Sequence, residues 1–362
     1  MQVDLEYRAR YFDNAATTPV DPRTAEEMLP FFGESFGNAN SIHEPGRRAM
    51  AAVDLARQRV ASLIGAEDPS QVVFTSGATE TNNWVLKQCA GTAGYVSPFE
   101  HSSAFEPGRR YGYRTLLNEG WNLSTDGLLD RGLVSVMSVN NETGALLEVR
   151  QFSGPRFFLH SDITQQVGKL AVNLDGVDFA SLSAHKFYGP KGVGALYCSA
   201  DTPEPLLLGG GQEEGSRAGT LNVPGIVGMG CAAAIATEEG DKNRRHAELL
   251  RALVLDEVLK IENVQLNSPP SSSPYIVSLS FLGVEGETLV VELDQKGFSI
   301  SSGAACSSRS SEPSHVLNAL GVASEWLRGT IRISFGKYNT ESAATCLAKE
   351  LRTAVEKLRT MH

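Results

Sequence analysis

A chain of 362 residues is longer than one hydrophobic core usually supports, so we predict two domains. Hydrophobic residues make up 41% and charged residues 20%, as in ordinary globular proteins, and 42 acidic against 32 basic residues, a net charge of −10, argue against direct binding of nucleic acid. No apolar run of about 18 residues, signal peptide, disulfide framework or zinc-ligand spacing occurs, so we expect a cytoplasmic protein without membrane contact or bound metal.

The first hundred residues alternate strand and helix patterns. Residues 11–19 indicate a short strand entering a polar turn, and residues 45–65 predict a helix that ends at Gly65. The apolar run 72–75 predicts a buried strand, and a turn of small residues follows at 76–83. Such a turn before a helix can direct backbone N–H groups at an anion, but a capped helix start without a ligand has the same pattern.

Nearly continuous apolar runs predict further strands at 94–97, 133–139, 156–160, 177–183 and 193–198. Strands of this kind are buried on both faces, which indicates a mostly parallel α/β sheet. Polar residues follow several of them, including His101, Asn141, Asp162 and Lys186. Because ligands bind beyond the carboxyl ends of strands in such sheets, we expect these residues to converge on one crevice.

The segment 183–192 presents a hydroxyl, an imidazole and an amine in sequence, from Ser183, His185 and Lys186. A lysine at a buried strand end loses hydration, which lowers its pKa and makes the neutral amine a nucleophile toward a carbonyl. An ordinary surface lysine beside a glycine-rich turn is equally compatible with these ten residues.

A helical run follows residue 220 and extends to 236, and beyond about residue 240 the pattern becomes a smaller α+β unit. We predict helices at 243–259, 285–295, 312–320 and 341–358, with strands at 276–282, 298–302 and 330–335. The predicted large α/β domain is therefore 17–239, and the small domain combines 1–16 with 240–362.

Cys306 lies among small residues at 301–311, whereas the other cysteines have apolar or helical surroundings. Those residues predict a mobile, exposed loop in which Arg309 stabilises a thiolate. A mobile nucleophilic cysteine suits the transport of sulfur between two places, although an incidental surface thiol is also compatible with the local sequence.

Taken together, these segments resemble the group I (NifS/IscS-like) cysteine desulfurases, pyridoxal-phosphate enzymes of the aminotransferase class V family. The resemblance covers nearly the whole chain and keeps the family's order of motifs, at 75–80, 100–101, 139–142, 162–165, 183–186, 217–220 and 302–307. It implies the type I aminotransferase-like fold of pyridoxal-phosphate transferases, with a mostly parallel sheet in the large domain.

The resemblance also implies a role for each site residue. Lys186 would hold pyridoxal 5'-phosphate covalently and move the substrate's α-proton, and Asp162 would pair with the pyridine nitrogen. His101 would stack on the ring and act in catalysis by handling protons. Cys306 would attack the sulfur of L-cysteine, leaving alanine and an enzyme persulfide. The remaining implied contacts are Gln165 at the ring oxygen, Asn141 near the ring oxygen and the substrate, and Arg332 on the substrate carboxylate. Ala78, Thr79, Ser183 and His185 would contact the phosphate, and Thr220 the phosphate of a partner subunit's cofactor in a homodimer.

Three matters stay open at this stage. A selenocysteine lyase, or another class V enzyme, would share Lys186, Asp162 and His101, and a non-catalytic sulfur carrier would need only Cys306. The sulfur acceptor is unspecified, with an iron–sulfur scaffold and a tRNA-thiolation enzyme as the candidates. The span 101–162 is shorter than is usual in the family, which leaves partner docking open.

Overall fold

The computed structural model describes residues 5–88, 93–128, 132–303 and 314–361. Its strands are β1 (Val72–Thr75), β2 (Gly94–Val96), β3 (Arg114–Thr115), β4 (Asn118–Glu119), β5 (Asn122–Leu123), β6 (Gly132–Ser135), β7 (Phe157–Asp162), β8 (Phe179–Ser183), β9 (Gly194–Cys198), β10 (Val264–Leu266), β11 (Ile276–Phe281), β12 (Ser301–Ser302) and β13 (Thr330–Ser334). Its α-helices are α1 (Leu5–Ala9), α2 (Pro22–Met28), α3 (Glu44–Ile64), α4 (Ala78–Gln88), α5 (Ser102–Arg110), α6 (Val223–Val258), α7 (Gly286–Asp294), α8 (His315–Ala319), α9 (Ser324–Leu327) and α10 (Glu341–Thr360).

The larger sheet has seven strands in the order β1-β9-β8-β7-β6-β2-β3. β8, β7, β6, β2 and β3 pair in parallel, and only β9 runs antiparallel to its two neighbours, which confirms the predicted mostly parallel sheet. Alternate residues of one strand enter different cores, since Val72 and Phe74 belong to one apolar cluster and Val73 to another. Helices therefore cover both faces, with α3 and part of α6 on one side and α4 and α5 on the other.

A second, antiparallel sheet has the order β10-β11-β13-β12. Its core is separate from those of the larger sheet and is closed by α7, α10 and the last turns of α6, with Leu279, Leu289 and Leu351 fully buried. The helix α6 passes without interruption through residues 239 and 240, so the exact domain limits stay a prediction.

The predicted helix at 45–65 is confirmed as α3, which ends at Gly65 in the left-handed conformation that glycine adopts without strain. The prediction of two helices, one ending at 236 and one starting at 243, is wrong, because α6 continues from Val223 to Val258. A glycine in a helix costs only about 1 kcal/mol, and Gly240 lies in a charged stretch between two halves that are each anchored in a core.

Residues 11–19 do not form the predicted strand and make only isolated bridges, from Tyr11 to Ser299 and from Asp13 to Ser334. The segment instead passes the carboxyl ends of the parallel strands β2, β6, β7 and β8. It places Ala15 and Ala16 at that edge of the larger sheet. Within the described ranges, no helix has the length and apolar content that crossing a membrane requires.

Candidate active site

A cavity of about 320 Å³ lies where β2, β6, β7 and β8 end, as predicted for a parallel sheet. All but two of the residues predicted for the site line it: Ala78, Thr79, His101, Asn141, Asp162, Gln165, Ser183, His185, Lys186 and Arg332. Its volume falls in the range of small-molecule and cofactor sites, which is about 300–1,000 Å³. Ala15 and Ala16 of the N-terminal segment also line the cavity, so both sheets and this segment contribute to it.

Lys186 reaches the cavity from the single helical turn Ala184–Lys186, which follows β8 directly. Its Nζ donates hydrogen bonds of 2.7 Å to the carbonyl oxygens of Ala15 and Ala16. The irregular N-terminal segment therefore fixes the amine at the cavity wall. A regular strand at 11–19 would have used these carbonyl groups in a ladder.

One side of the cavity is rich in hydrogen-bond donors. The helix α4 begins at Ala78, whose backbone N–H donates to Ser183 Oγ at 2.7 Å, and the helix N-terminus carries a partial positive charge. Burial, followed by the charge of Lys186, lowers the pKa of His185 to about 4, so this imidazole is neutral at pH 7. Backbone N–H groups, hydroxyls and an imidazole at a helix start form a set that suits a phosphate group.

A buried carboxylate occupies another part of the wall. Asp162 ends β7 and is 4% exposed. Its Oδ2 accepts a hydrogen bond of 2.8 Å from Asn82 Nδ2, and its Oδ1 accepts one of 2.9 Å from the Thr164 backbone N–H. These donors hold the carboxylate in one orientation at the cavity wall.

His101 is the N-cap of α5, and its Nδ1 accepts from the Ser103 backbone N–H at 3.1 Å. Burial lowers the pKa of His101, and the Asp162 carboxylate partly opposes that change. The ring is therefore neutral and fixed at the cavity wall.

Gln165 lies in a turn after β7 and connects two neighbours. Its Nε2 donates to Ala15 O at 2.9 Å, and its Oε1 accepts from Lys169 Nζ at 2.9 Å. Lys169 is 8% exposed, and no carboxylate of the described residues forms an ion pair with it. Burial, and then the charges of Lys186 and Arg332, lower the pKa of Lys169 to about 7.

Arg332 is contributed by β13 of the smaller sheet and is 4% exposed. Its guanidinium donates to Asn141 O and to Asp13 Oδ1, each at 2.9 Å, so three separate segments meet at this side chain. Its Nε is buried and makes no hydrogen bond with any residue that the structure describes. A fixed guanidinium with remaining donors suits a carboxylate ligand.

Two predicted residues are not part of this cavity. Thr220 is exposed and lies outside the lining, and its segment is held to α4 by an ion pair between Arg217 and Glu80. Cys306 lies outside the described residues.

Sequence reasoning missed several polar residues that hold the site in place. Asn82 and Lys169 are the buried ones, and Ser103 and the carbonyl groups of Ala15 and Ala16 complete the set. Asn82 follows Ala78 by one helical turn, and Lys169 follows Gln165 by four residues, so helical spacing was the available signal.

Comparisons with known proteins agree with this geometry. The aminotransferase class-V family description matches residues 10–346. Cysteine desulfurase IscS of Dictyoglomus turgidum is 42% identical over 381 residues, covering 98% of this chain and 96% of that protein. A solved NifS-like protein superposes with a TM-score of 0.87 at 36% identity, covering 96% of this chain and 99% of the other. The structure of SspA in complex with cysteine gives a TM-score of 0.77 at 29% identity, covering 91% and 100% of the two chains.

The chain belongs to the aminotransferase class-V family. Its similarity to the IscS proteins along nearly its full length places it, within that family, among the cysteine desulfurases, which confirms the resemblance seen in the sequence.

Proposed function

We propose that this enzyme removes sulfur from L-cysteine with the help of pyridoxal 5'-phosphate and retains the sulfur as a persulfide on Cys306. The observation that carries the proposal is the convergence of an amine, a carboxylate, a neutral imidazole and a guanidinium on one cavity, from Lys186, Asp162, His101 and Arg332. A non-catalytic sulfur carrier would need none of these groups.

The residues present fit pyridoxal phosphate. The helix start at Ala78 and Thr79, with Ser183 and His185 beside it, would bind the phosphate, and Asp162 would accept from the ring nitrogen. Gln165 and Asn141 would donate to the ring oxygen, and His101 would cover the ring face. When bound, the cofactor supplies an electron sink for the electron pair released at the substrate's α-carbon.

The chain's own residues would then bind the substrate and move its protons. Arg332 binds the α-carboxylate through guanidinium donors that are fixed by Asn141 O and Asp13. Lys186 Nζ takes the α-proton, and it is within reach of the cavity centre because Ala15 and Ala16 hold it at the wall. His101, neutral because it is buried, exchanges a proton at Nε2.

In the sulfur-transfer step, the Cys306 thiolate attacks the sulfur of cysteine. An S–S bond forms, the C–S bond of the substrate breaks, and its electron pair stays on the substrate carbon, which a proton converts to the methyl group of alanine. The sulfur is oxidised to the persulfide level while the carbon is reduced, so no external oxidant is required. This role of Cys306 rests on the sequence.

A homodimer is part of the proposal. The exposed Thr220 would reach the phosphate of the partner subunit's cofactor, and the ion pair between Arg217 and Glu80 would hold its segment in place. The persulfide would pass to an acceptor protein such as an iron–sulfur scaffold or a tRNA-thiolation enzyme.

Two substitutions test the proposal in the purified protein. Lys186→Ala should lose both the visible absorbance of the bound cofactor and alanine production from cysteine. Cys306→Ser should keep the absorbance and lose persulfide formation. A colourless wild-type protein would support the carrier alternative, and equal turnover of cysteine by Cys306→Ser would contradict the role given to that thiol. A strong preference for selenocysteine over cysteine would identify the lyase alternative.

A further inference from the structure

Four side chains form a continuous hydrogen-bonded chain beside the cavity. Asn82 Nδ2 donates to Asp162 Oδ2 at 2.8 Å and to Ser103 Oγ at 2.9 Å, and Ser103 Oγ lies 2.8 Å from His101 Nδ1. We call this chain, from Asp162 through Asn82 and Ser103 to His101, the Asn82 bridge. It connects the carboxylate predicted to face the ring nitrogen with the imidazole predicted to face the ring.

The acceptors assign the direction of every hydrogen bond in the Asn82 bridge. An ionised carboxylate only accepts, so the amide nitrogen of Asn82 must face Asp162, and its second N–H then points at Ser103 Oγ. Ser103 Oγ accepts from Asn82 and is free to donate its own proton to His101 Nδ1. That nitrogen also accepts from the Ser103 backbone N–H. His101 Nδ1 therefore carries no proton, and the proton of the neutral ring lies on Nε2.

The environment of Asn82 indicates that its two donors are what matters. Asn82 is fully buried, and its Oδ1 makes no hydrogen bond with a described residue. A buried acceptor without a partner is unfavourable, and an apolar side chain such as the following Trp84, Val85 and Leu86 would avoid that cost. Asparagine at this position is thus explained by the two groups to which it donates.

We propose that Asn82 is a positioning residue that holds the Asp162 carboxylate and, by orienting the Ser103 hydroxyl toward His101 Nδ1, favours the Nε2-protonated tautomer of His101. This inference rests on the proposed function, in which those two groups contact the ring nitrogen and the ring face. It assigns a role to a side chain that does not line the cavity itself.

The central test compares Asn82→Leu with Asn83→Leu. Asn83 is the next residue of the same helix, and within the described part of the chain its Nδ2 donates to the backbone carbonyl groups of Thr79 and Ser103 and to no side chain. Long-range proton–nitrogen NMR of the histidine rings in the cofactor-free protein reports the tautomer, and His101→Gln identifies the signal. We expect one Nε2–H tautomer in the wild type and in Asn83→Leu, and a measurable fraction of the Nδ1–H tautomer in Asn82→Leu, where the Ser103 backbone N–H is the remaining donor that orders this ring among the described residues.

Cofactor titration, followed by visible absorbance, supplies the second readout. Loss of one hydrogen bond to the Asp162 carboxylate should weaken cofactor binding at least tenfold in Asn82→Leu and leave Asn83→Leu within about twofold of the wild type. Asn82→Asp keeps the size of the side chain and covers the case in which the leucine variant does not fold. It should weaken cofactor binding at least as much, because it sets a second carboxylate against Asp162.

Ser103→Ala separates the two branches of the Asn82 bridge. It should increase the fraction of the Nδ1–H tautomer of His101. Cofactor affinity should stay within about threefold of the wild type, since the hydrogen bond from Asn82 to Asp162 remains. Equal behaviour of the Asn82 and Asn83 variants in both measurements would overturn the inference. The tautomer is read without substrate, so failure of the proposed desulfurase activity would leave that result unchanged and is distinguishable from failure of the inference.

Discussion

Replacing the buried Lys169 with methionine should stabilise the cofactor-free chain, and the gain should shrink as the pH rises. Methionine nearly matches the length of lysine but carries no charge. Lys169 is 8% exposed, donates to Gln165 Oε1, and has the positive Lys186 and Arg332 nearby, with no ion-paired carboxylate among the residues that the structure describes. The folded chain therefore carries an ammonium group in a place that disfavours its charge.

The size of the effect follows from the pKa. Burial, with the charges of Lys186 and Arg332, lowers the pKa of Lys169 from 10.5 to about 7. At about 1.4 kcal/mol for each tenfold change in proton affinity, the charged form costs the fold roughly 5 kcal/mol at acid pH. Between pH 7 and 10.5 the unfolded chain binds more protons than the folded chain, so the free energy of unfolding of the wild type rises with pH through this window. The difference between wild type and Lys169→Met should fall by roughly 2–3 kcal/mol from about pH 6 to about pH 9.

Urea unfolding of both proteins, followed by circular dichroism near pH 6, 7.5 and 9, measures this difference directly. Lys242→Met is the matched control, because Lys242 is exposed, and its variant should follow the wild type at every pH. The lost hydrogen bond to Gln165 contributes about 1 kcal/mol that does not vary with pH, so the slope is the informative quantity. A difference between wild type and Lys169→Met that stays constant with pH would refute the reasoning.

Three further predictions address the substrate, the cofactor turn and the smaller core. Arg332→Lys should raise the KM for cysteine at least tenfold in an alanine-formation assay, because lysine cannot donate two parallel hydrogen bonds to a carboxylate. An unchanged KM would mean that the substrate carboxylate binds elsewhere. Gly77→Ala should weaken cofactor binding and lower the free energy of unfolding by about 1–3 kcal/mol. The reason is that Gly77 has a φ of +150° and an added Cβ would lie 3.3 Å from Ser183 Oγ. Unchanged cofactor affinity would contradict this prediction. Leu279→Ala should lower the free energy of unfolding in urea by about 2–5 kcal/mol because Leu279 is fully buried. The control Val291→Ala should lower it by under about 0.5 kcal/mol because Val291 is 55% exposed. Equal losses would argue against a core at Leu279.

Much of the fold could be predicted because strand periodicity and composition report burial on both faces. The strands that became β1, β2, β6, β7, β8 and β9 were all anticipated, with ends that differ by up to a few residues. Pairing information is absent from a single strand, so the antiparallel insertion of β9 between β8 and β1 could not be predicted. The error at α6 has a different cause, since local signals such as Gly240 were outweighed by packing of the two ends of the helix in two cores.

The candidate site could be predicted where the type of a residue alone indicates its chemistry. Amines, carboxylates and imidazoles after strand ends were recognised, and Lys186, Asp162 and His101 line one cavity. The supporting residues were harder, because Asn82 and Lys169 look like ordinary helix and turn residues until their three-dimensional partners are known. The N-terminal segment was the least predictable part, since Ala15 contributes a backbone carbonyl and its side chain carries no signal of that role.

The charged groups of the site explain why the cofactor-free chain tolerates the unfavourable burial of Lys169. Lys186 and Arg332 line the cavity and Lys169 lies behind Gln165, whereas Asp162 is the lining carboxylate among the described residues and Asp13 pairs with Arg332. Burial, together with the positive charges of Lys186 and Arg332, lowers the pKa of Lys169 and makes its charged form unfavourable in the folded chain. The cations of Lys186 and Arg332 also attract a phosphate and a carboxylate, and a ligand that binds only the folded chain adds its binding free energy to the stability of the fold. The same positive groups therefore destabilise the cofactor-free protein and increase its affinity for anionic ligands. Binding of such a ligand should raise the pKa of Lys169 toward its ordinary value.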